Sequence, residues 1–127
     1  MCIRDSNIVV DRIMIEQVLL NLVRNGIEAM HDTPFERRRL DISAHQLDAR
    51  WLQVEIADQG HGLPEEEFEK IFAPFYTTKQ EGMGIGLAIC RSIIEFHQGR
   101  LWVEPGREGG TRFRFTVPTE NEEEADE

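Results

Sequence analysis

A chain of 127 residues has room for one domain with a real core. It has no stretch of 18 apolar residues to span a membrane and no secretory leader pattern, and two cysteines, Cys2 and Cys90, are too few for a disulfide framework; a reducing, cytoplasmic setting fits. The net charge is −10, and six acids fall after Pro118, at Glu120, Glu122, Glu123, Glu124, Asp126 and Glu127, so 119–127 is expected to be an acidic disordered tail. The mildly acidic remainder argues against nucleic-acid binding, and the basic run Arg37-Arg38-Arg39 reads as solvated loop surface.

Met1 to Ser6 fits no periodic pattern and reads as a non-native leader, so the domain is placed at 7–118. Asp11 is a predicted helix N-cap, followed by an apolar-rich helix to Met30. Gln17, Asn21, Arg24, Asn25 and Glu28 fall within an arc of roughly 100° on that helix. The reading is a mostly buried helix with one narrow polar stripe. Solvent-facing stripes favour Lys and Glu, whereas two Asn in mid-helix work against helix propensity and point to a task for their amides.

Thr33 to Arg39 reads as a loop broken by Pro34. Leu40, Ile42 and Ala44 alternate with polar residues, which predicts a half-buried strand. A turn near Asp48 leads to a second strand, Trp51 to Ala57, and the two form a predicted hairpin. Asp58 follows directly, and Gly60, Gly62 and Pro64 then forbid regular structure. A short helix is expected over Glu65 to Phe72, ended by Pro74. Gly82, Gly84 and Gly86 form a loop, and a helix from about Ile85 to His97 carries Leu87, Cys90, Ile93, Ile94 and His97 on one face. Gln98-Gly99 supplies a glycine cap. Strands Arg100 to Glu104 and Thr111 to Val117 complete the chain. Paired strands with helices between them imply an α+β fold, a two-layer sandwich.

The glycine spacing G-x-G-x-G is neither a dinucleotide fingerprint nor a P-loop. Glycines there would admit phosphate to backbone N–H groups at a helix N-terminus. Asp58, set by a strand end in Asp-x-Gly-x-Gly, could accept a hydrogen bond from an exocyclic amine in an apolar slot; its alternative is an ordinary Asp-Gly turn.

Four blocks then stand in order: Asn21-Leu22-Val23-Arg24-Asn25, Asp58 to Gly62, Ile71 to Lys79 with Phe72-Ala73-Pro74-Phe75, and Gly82 to Leu87. Gly109-Gly110-Thr111 with Phe113 and Phe115 closes the series. Together they resemble the ATP-binding catalytic domain of the histidine kinase, gyrase, heat-shock-90 and mismatch-repair superfamily, of Bergerat type. Bacterial two-component sensor histidine kinases match best, nearest the oxygen-sensing and nitrogen-regulatory group. Gly26 stands where that family usually has Ala. Members also carry a strand and a helix ahead of Asn7, so the resemblance implies a domain truncated at its N-terminus, lacking an edge strand and part of its helical cover.

The resemblance implies ATP and Mg²⁺ as cofactors. Asn25 inherits the metal, and Asn21 approaches the phosphates or their water. Asp58 accepts from the adenine amine, with Gly60 and Gly62 shaping the base pocket. Gly82, Gly84, Gly86 and Leu87 form the hinge and lid, and Lys79 and Thr111 complete the cofactor-binding set. Phe72 and Phe75 are expected to pack the lid and its contact with the histidine-bearing helices. ATP-hydrolysing branches have a Glu at position 21, and Asn21 cannot act as a general base, so the γ-phosphoryl group is kept for another nucleophile. The implied acceptor is a histidine on a separate helical hairpin, with a response regulator downstream, a homodimeric parent and no membrane contact by this segment. His31-Asp32-Thr33-Pro34 imitates an acceptor motif but follows the Asn block and falls in a loop. His45 and His61 show no acceptor spacing, and His97 reads as packing or capping. The alternatives are an ATPase clamp, a serine kinase that binds a sigma factor (both usually with the Glu), or a binding module without kinase activity.

Overall fold

The computed structural model describes residues 2–3, 6–8, 11–73 and 86–120, with side chains over 11–73 and 86–119. In chain order the elements are β1 (Cys2–Ile3), β2 (Ser6–Ile8), α1 (Arg12–Ala29), β3 (Leu40–Gln46), β4 (Trp51–Asp58), α2 (Gly86–Phe96), β5 (Leu101–Pro105) and β6 (Thr111–Glu120). The strands form one antiparallel sheet in the order β1-β2-β6-β4-β3, with β5 also paired to β6. The two helices cover one face, as the two-layer expectation required.

β6 is the centre of the sheet. Its register sets Phe115 opposite both Val54 and Leu101, and Phe113 opposite both Ile56 and Val103. These side chains share the inner face and meet Ile15, Val18 and Leu22 of α1 and Cys90 and Ile94 of α2 in one buried cluster. The opposite face carries a polar ladder. Glu55 stands across from Arg114, whose Nε reaches it at 2.7 Å, and Arg107 reaches its other oxygen at 3.3 Å. Arg112 and Arg114 also hold Glu104, at 3.1 and 3.2 Å.

Asp11 caps α1 as predicted, accepting the Met14 N–H at 3.1 Å. Its own N–H donates to Nε2 of His97 at 3.0 Å. A backbone N–H can only donate, so Nε2 is the bare nitrogen and Nδ1–H donates to the Ile93 carbonyl at 2.8 Å. His97 thus caps the start of the other helix, not only the end of its own.

Several expectations need correction. α1 is buried on one side only, through Ile15, Val18, Leu22 and Gly26. Ile13, Leu20 and Ile27, seven residues apart, are 76%, 67% and 57% exposed, because among the described elements α2 covers one flank of α1 and leaves the other open. β3 is an exposed edge strand rather than a half-buried one: of its residues only Leu40 packs against the core. The stretch expected as a short helix is two 3₁₀ turns, Glu65–Glu67 and Lys70–Phe72. At the end of α2 it is Gln98, not Gly99, that takes the left-handed conformation, with φ 68°. The Gly99 and Gln98 N–H groups return to the Ile94 and Glu95 carbonyls at 2.9 Å each, a Schellman arrangement. Gly99 is needed for closeness: a Cβ there would lie 2.0 Å from the Thr116 carbonyl oxygen. β6 runs on through Pro118 to Glu120, where β2 pairs with it on the edge opposite β4. Pro118 has no N–H to give, but the Thr119 N–H beside it goes to the Arg50 carbonyl, so the Pro118 nitrogen faces away from β4 and that pairing loses no bond.

Burial pushes the Glu55 carboxyl up, but the Arg114 and Arg107 guanidinium groups outweigh it, and the net shift is downward from 4.5. A depressed carboxyl contributes stability above its unfolded value that fades as pH falls through the folded one. Glu55→Gln should therefore cost about 1 kcal/mol in urea unfolding at pH 7, with the gap from wild type closing below about pH 4. Cys90 behaves oppositely: burial raises its thiol to about 11, only partly offset by a hydrogen bond with Asn21. The unfolded chain ionises first, so wild type should lose on the order of 2 kcal/mol between about pH 8 and 11. Cys90→Ala should remove that component of the alkaline slope in parallel urea titrations.

Candidate nucleotide site

The site grows from the end of β4. Asp58 is the last residue of the strand and 1% exposed. One carboxylate oxygen accepts the Gly60 N–H at 2.8 Å, which turns the chain sharply out of the sheet. The other oxygen faces α1, since a Cβ added to Gly26 would lie 3.7 Å from it. Gly26 follows Asn25 directly. The missing methyl group therefore marks where the Asn block and the carboxylate come together.

Backbone approach fixes the turn on its other sides. A Cβ on Gly60 would stand 2.5 Å from the Ala29 carbonyl oxygen, so the turn lies directly on the C-terminal end of α1. The Thr33 hydroxyl adds a bond to the Gln59 carbonyl at 3.2 Å. Gly110, at φ 77°, leaves no room for a Cβ beside the Asp58 carbonyl, where the atom would sit 2.1 Å from the oxygen. The β4–β6 register, which pairs Ala57 with Arg112, then brings the buried Thr111 level with Asp58.

Asn21 and Asn25 lie one turn apart on the flank of α1 that faces α2, both half-buried. The buried Cys90 thiol donates to the Val18 carbonyl at 3.9 Å, one turn before Asn21, and so ties α2 to α1. Leu87 is half-buried against the core. Gly86 opens α2, and a Cβ there would meet nothing within 4 Å. Lys79, Gly82 and Gly84, together with Phe75, lie outside the described residues. Phe72 was expected to pack the lid and its helical contact. Instead it is a core residue, 5% exposed, with its ring edge-on to Phe113 at 6.3 Å.

Two further groupings border these residues. A polar cleft of about 730 Å³ runs along the outside of the Asp58 turn, lined by residues including Arg37, Arg38, Gln59, Gly60, His61 and Glu108, and by none of Asn21, Asn25 and Asp58. Within the basic run, Arg38 caps the exit from α1 by donating to the Thr33 and His31 carbonyls at 2.9 and 3.0 Å, and Arg39 pairs with Asp41 at 3.0 Å. Sequence reasoning also missed Arg91, which grips Glu69 and covers the Phe72 ring; no local pattern links positions 22 residues apart. Among the described residues no group of three His, Cys, Asp or Glu side chains is placed to hold a metal, and no helix is long and apolar enough to cross a membrane.

Comparison with known proteins agrees with this geometry. Residues 10–121 match the family model described as histidine kinase-, DNA gyrase B-, and HSP90-like ATPase. The sensor protein FixL of Bradyrhizobium diazoefficiens is 44% identical over 91% of this chain and 22% of its own length. The C4-dicarboxylate transport sensor protein DctS of Rhodobacter capsulatus is 46% identical over 88% of this chain and 17% of its own. The chain thus spans about a fifth of these relatives. Among solved structures, the catalytic domain of histidine kinase ThkA is 42% identical with a TM-score of 0.76, covering 89% of this chain and 71% of that one. The buried Asp58 at its strand end and a family match along nearly the whole chain make it a member of the histidine kinase-, DNA gyrase B- and HSP90-like ATPase family, with sensor histidine kinases as its relatives.

Proposed function

We propose that this domain binds Mg-ATP and gives the γ-phosphoryl group to a histidine on a separate helical hairpin, as the catalytic portion of a two-component sensor kinase. The observation that carries the reading is the buried Asp58 carboxylate, held by the Gly60 N–H and packed against α1 one residue beyond Asn25. A buried acceptor at a strand end suits the exocyclic amine of adenine, while the backbone around Gly60 and Gly62 shapes the slot for the ring. Thr111, level with Asp58, lines the same end of the sheet.

Asn25 offers one amide oxygen on the flank shared with Asn21. That donor set fits Mg²⁺, which retains several waters and takes its remaining ligands from phosphate oxygens. Bound there, the ion would neutralise charge on the phosphates. The N-terminus of α2 at Gly86 favours the same anionic groups, and Lys79, Gly82 and Gly84 are proposed to complete their surroundings. Asn21 has no proton-accepting group able to activate water, so the residues position the nucleotide without promoting its hydrolysis.

The solved complex of ThkA with its response regulator TrrA supports a response regulator as the eventual recipient in the parent protein. The phosphoacceptor hairpin, a homodimeric parent and a cytoplasmic site of action belong to the same proposal. A binding module without kinase activity, or an ATPase, would use the same pocket.

Asp58→Asn should weaken a fluorescent ATP analogue by roughly ten- to a hundredfold, because a charged acceptor becomes an amide with its own donors to satisfy. Binding as tight as wild type would remove Asp58 from the adenine. With labelled ATP and a separately prepared phosphoacceptor hairpin, label should appear on the hairpin only when the domain is present. Binding without labelling would favour the module, and steady release of inorganic phosphate by the domain alone would favour the ATPase.

A further inference from the structure

Arg91 sits on α2, one residue beyond the Cys90 whose thiol donates to the Val18 carbonyl of α1, and faces a different element. Its two terminal nitrogens reach the two Glu69 oxygens at 2.9 and 3.2 Å, a bidentate fork. Its Nε lies 3.5 Å from Glu95, an ion-pair distance one helical turn further on. The guanidinium carbon stands 4.5 Å above the Phe72 ring centroid. Phe72 in turn is seated edge-on against Phe113 of the central strand. The Arg91 side chain is 27% exposed, so the contact is sheltered even though Glu69 itself is open to solvent. The fork keeps the Glu69 carboxyl below its usual range.

Adjacent residues of one short helix thereby fasten α1 and the aromatic block. Cys90 meets α1 at the Val18 carbonyl, one turn before Asn21, and Arg91 meets the aromatic block through Phe72 and the preceding Glu69. A rigid helix holds neighbouring residues at a fixed angle, so displacement at one anchor is transmitted to the other. The same helix starts at Gly86, where the phosphates are proposed to lie. We propose that Arg91, clamped by Glu69 on the Phe72 ring, is a positioning residue for the nucleotide site: it fixes α2 against the aromatic turn and so sets the place of Asn21. This rests on the nucleotide reading given above. Lysine is a poor substitute, since an ammonium has neither the planar fork for Glu69 nor the flat face for Phe72.

The test uses the full chain and the dissociation constant of a fluorescent ATP analogue, measured at a temperature where circular dichroism shows every variant folded. Arg91→Gln should weaken binding roughly three- to tenfold, with Arg91→Lys between it and wild type. Arg91→Glu should weaken it at least as much as Arg91→Gln. Adding Glu69→Arg to Arg91→Glu restores the pair with its charges exchanged and should recover part of the loss, which a general loss of packing would not do. Folded Arg91→Gln protein that binds as tightly as wild type overturns the proposal alone, as does a double variant no tighter than Arg91→Glu. Wild-type protein that fails to bind the analogue overturns the nucleotide reading and this proposal with it.

Discussion

The closeness of two backbones, the end of β4 and the end of α1, is the constraint from which the rest of the site follows. Gly60 presents no side chain to the Ala29 carbonyl, so the turn that buries Asp58 can lie on the end of α1, while at Gly26 a methyl group would crowd Leu40 at 2.7 Å and only touch Asp58. Gly110, just before β6, lies on the Asp58 backbone carbonyl. Three glycines thus mark the close approaches around Asp58: one beside its side chain, one on the end of α1 and one on its backbone. A buried carboxylate is costly unless its oxygens are bonded, and the Gly60 N–H supplies one bond within the turn that places it. The same bond therefore serves stability and position.

This convergence explains why the glycine-rich blocks are informative in a way that isolated glycines are not. A turn residue needs only its own φ and ψ, whereas Gly60 and Gly110 are fixed by neighbours far away in sequence. The sheet provides the frame that makes such tolerances possible. β6 is bonded on both edges, so its register carries Thr111 to Asp58 and at the same time sets Phe113 and Phe115 under the helices. The polar ladder of Glu55, Glu104, Arg112 and Arg114 stiffens the opposite face and takes no part in the site.

What could be read from the sequence was chiefly local. The Asp11 cap, the polar stripe of α1, the β3–β4 hairpin and the place of Asp58 at a strand end follow from periodicity and turn chemistry. Burial of β3 did not, because alternation marks a face without saying whether anything covers it. The same limit applies to Ile13, Leu20 and Ile27, apolar yet open to solvent on α1. Gly99 looked like the residue that ends α2 by its conformation; the structure assigns that to Gln98 and reserves Gly99 for the approach to Thr116. The last strand was expected to end at Val117 ahead of an acidic tail, and its continuation to Glu120 through the pairing with β2 was not encoded nearby. The bond from Asp11 to His97 spans 86 positions and has no local signature at all.

These long-range ties share one origin, and it gives α2 a larger part than its 11 residues suggest. Cys90 holds Val18 in the middle of α1, His97 holds Asp11 at its start, and Arg91 holds the turn that carries Phe72. Two contacts a helical turn or more apart fix both the position and the rotation of α1 relative to α2; a single contact would leave one of them free. Rotation is the quantity that matters, because Asn21 and Asn25 occupy the α2-facing flank, and turning α1 by one residue, about 100°, would carry both amides away from it. The buried thiol suits that task better than a charged partner would. It makes a weak contact with the Val18 carbonyl without bringing a charge between the helices, and its raised ionisation keeps it neutral near pH 7.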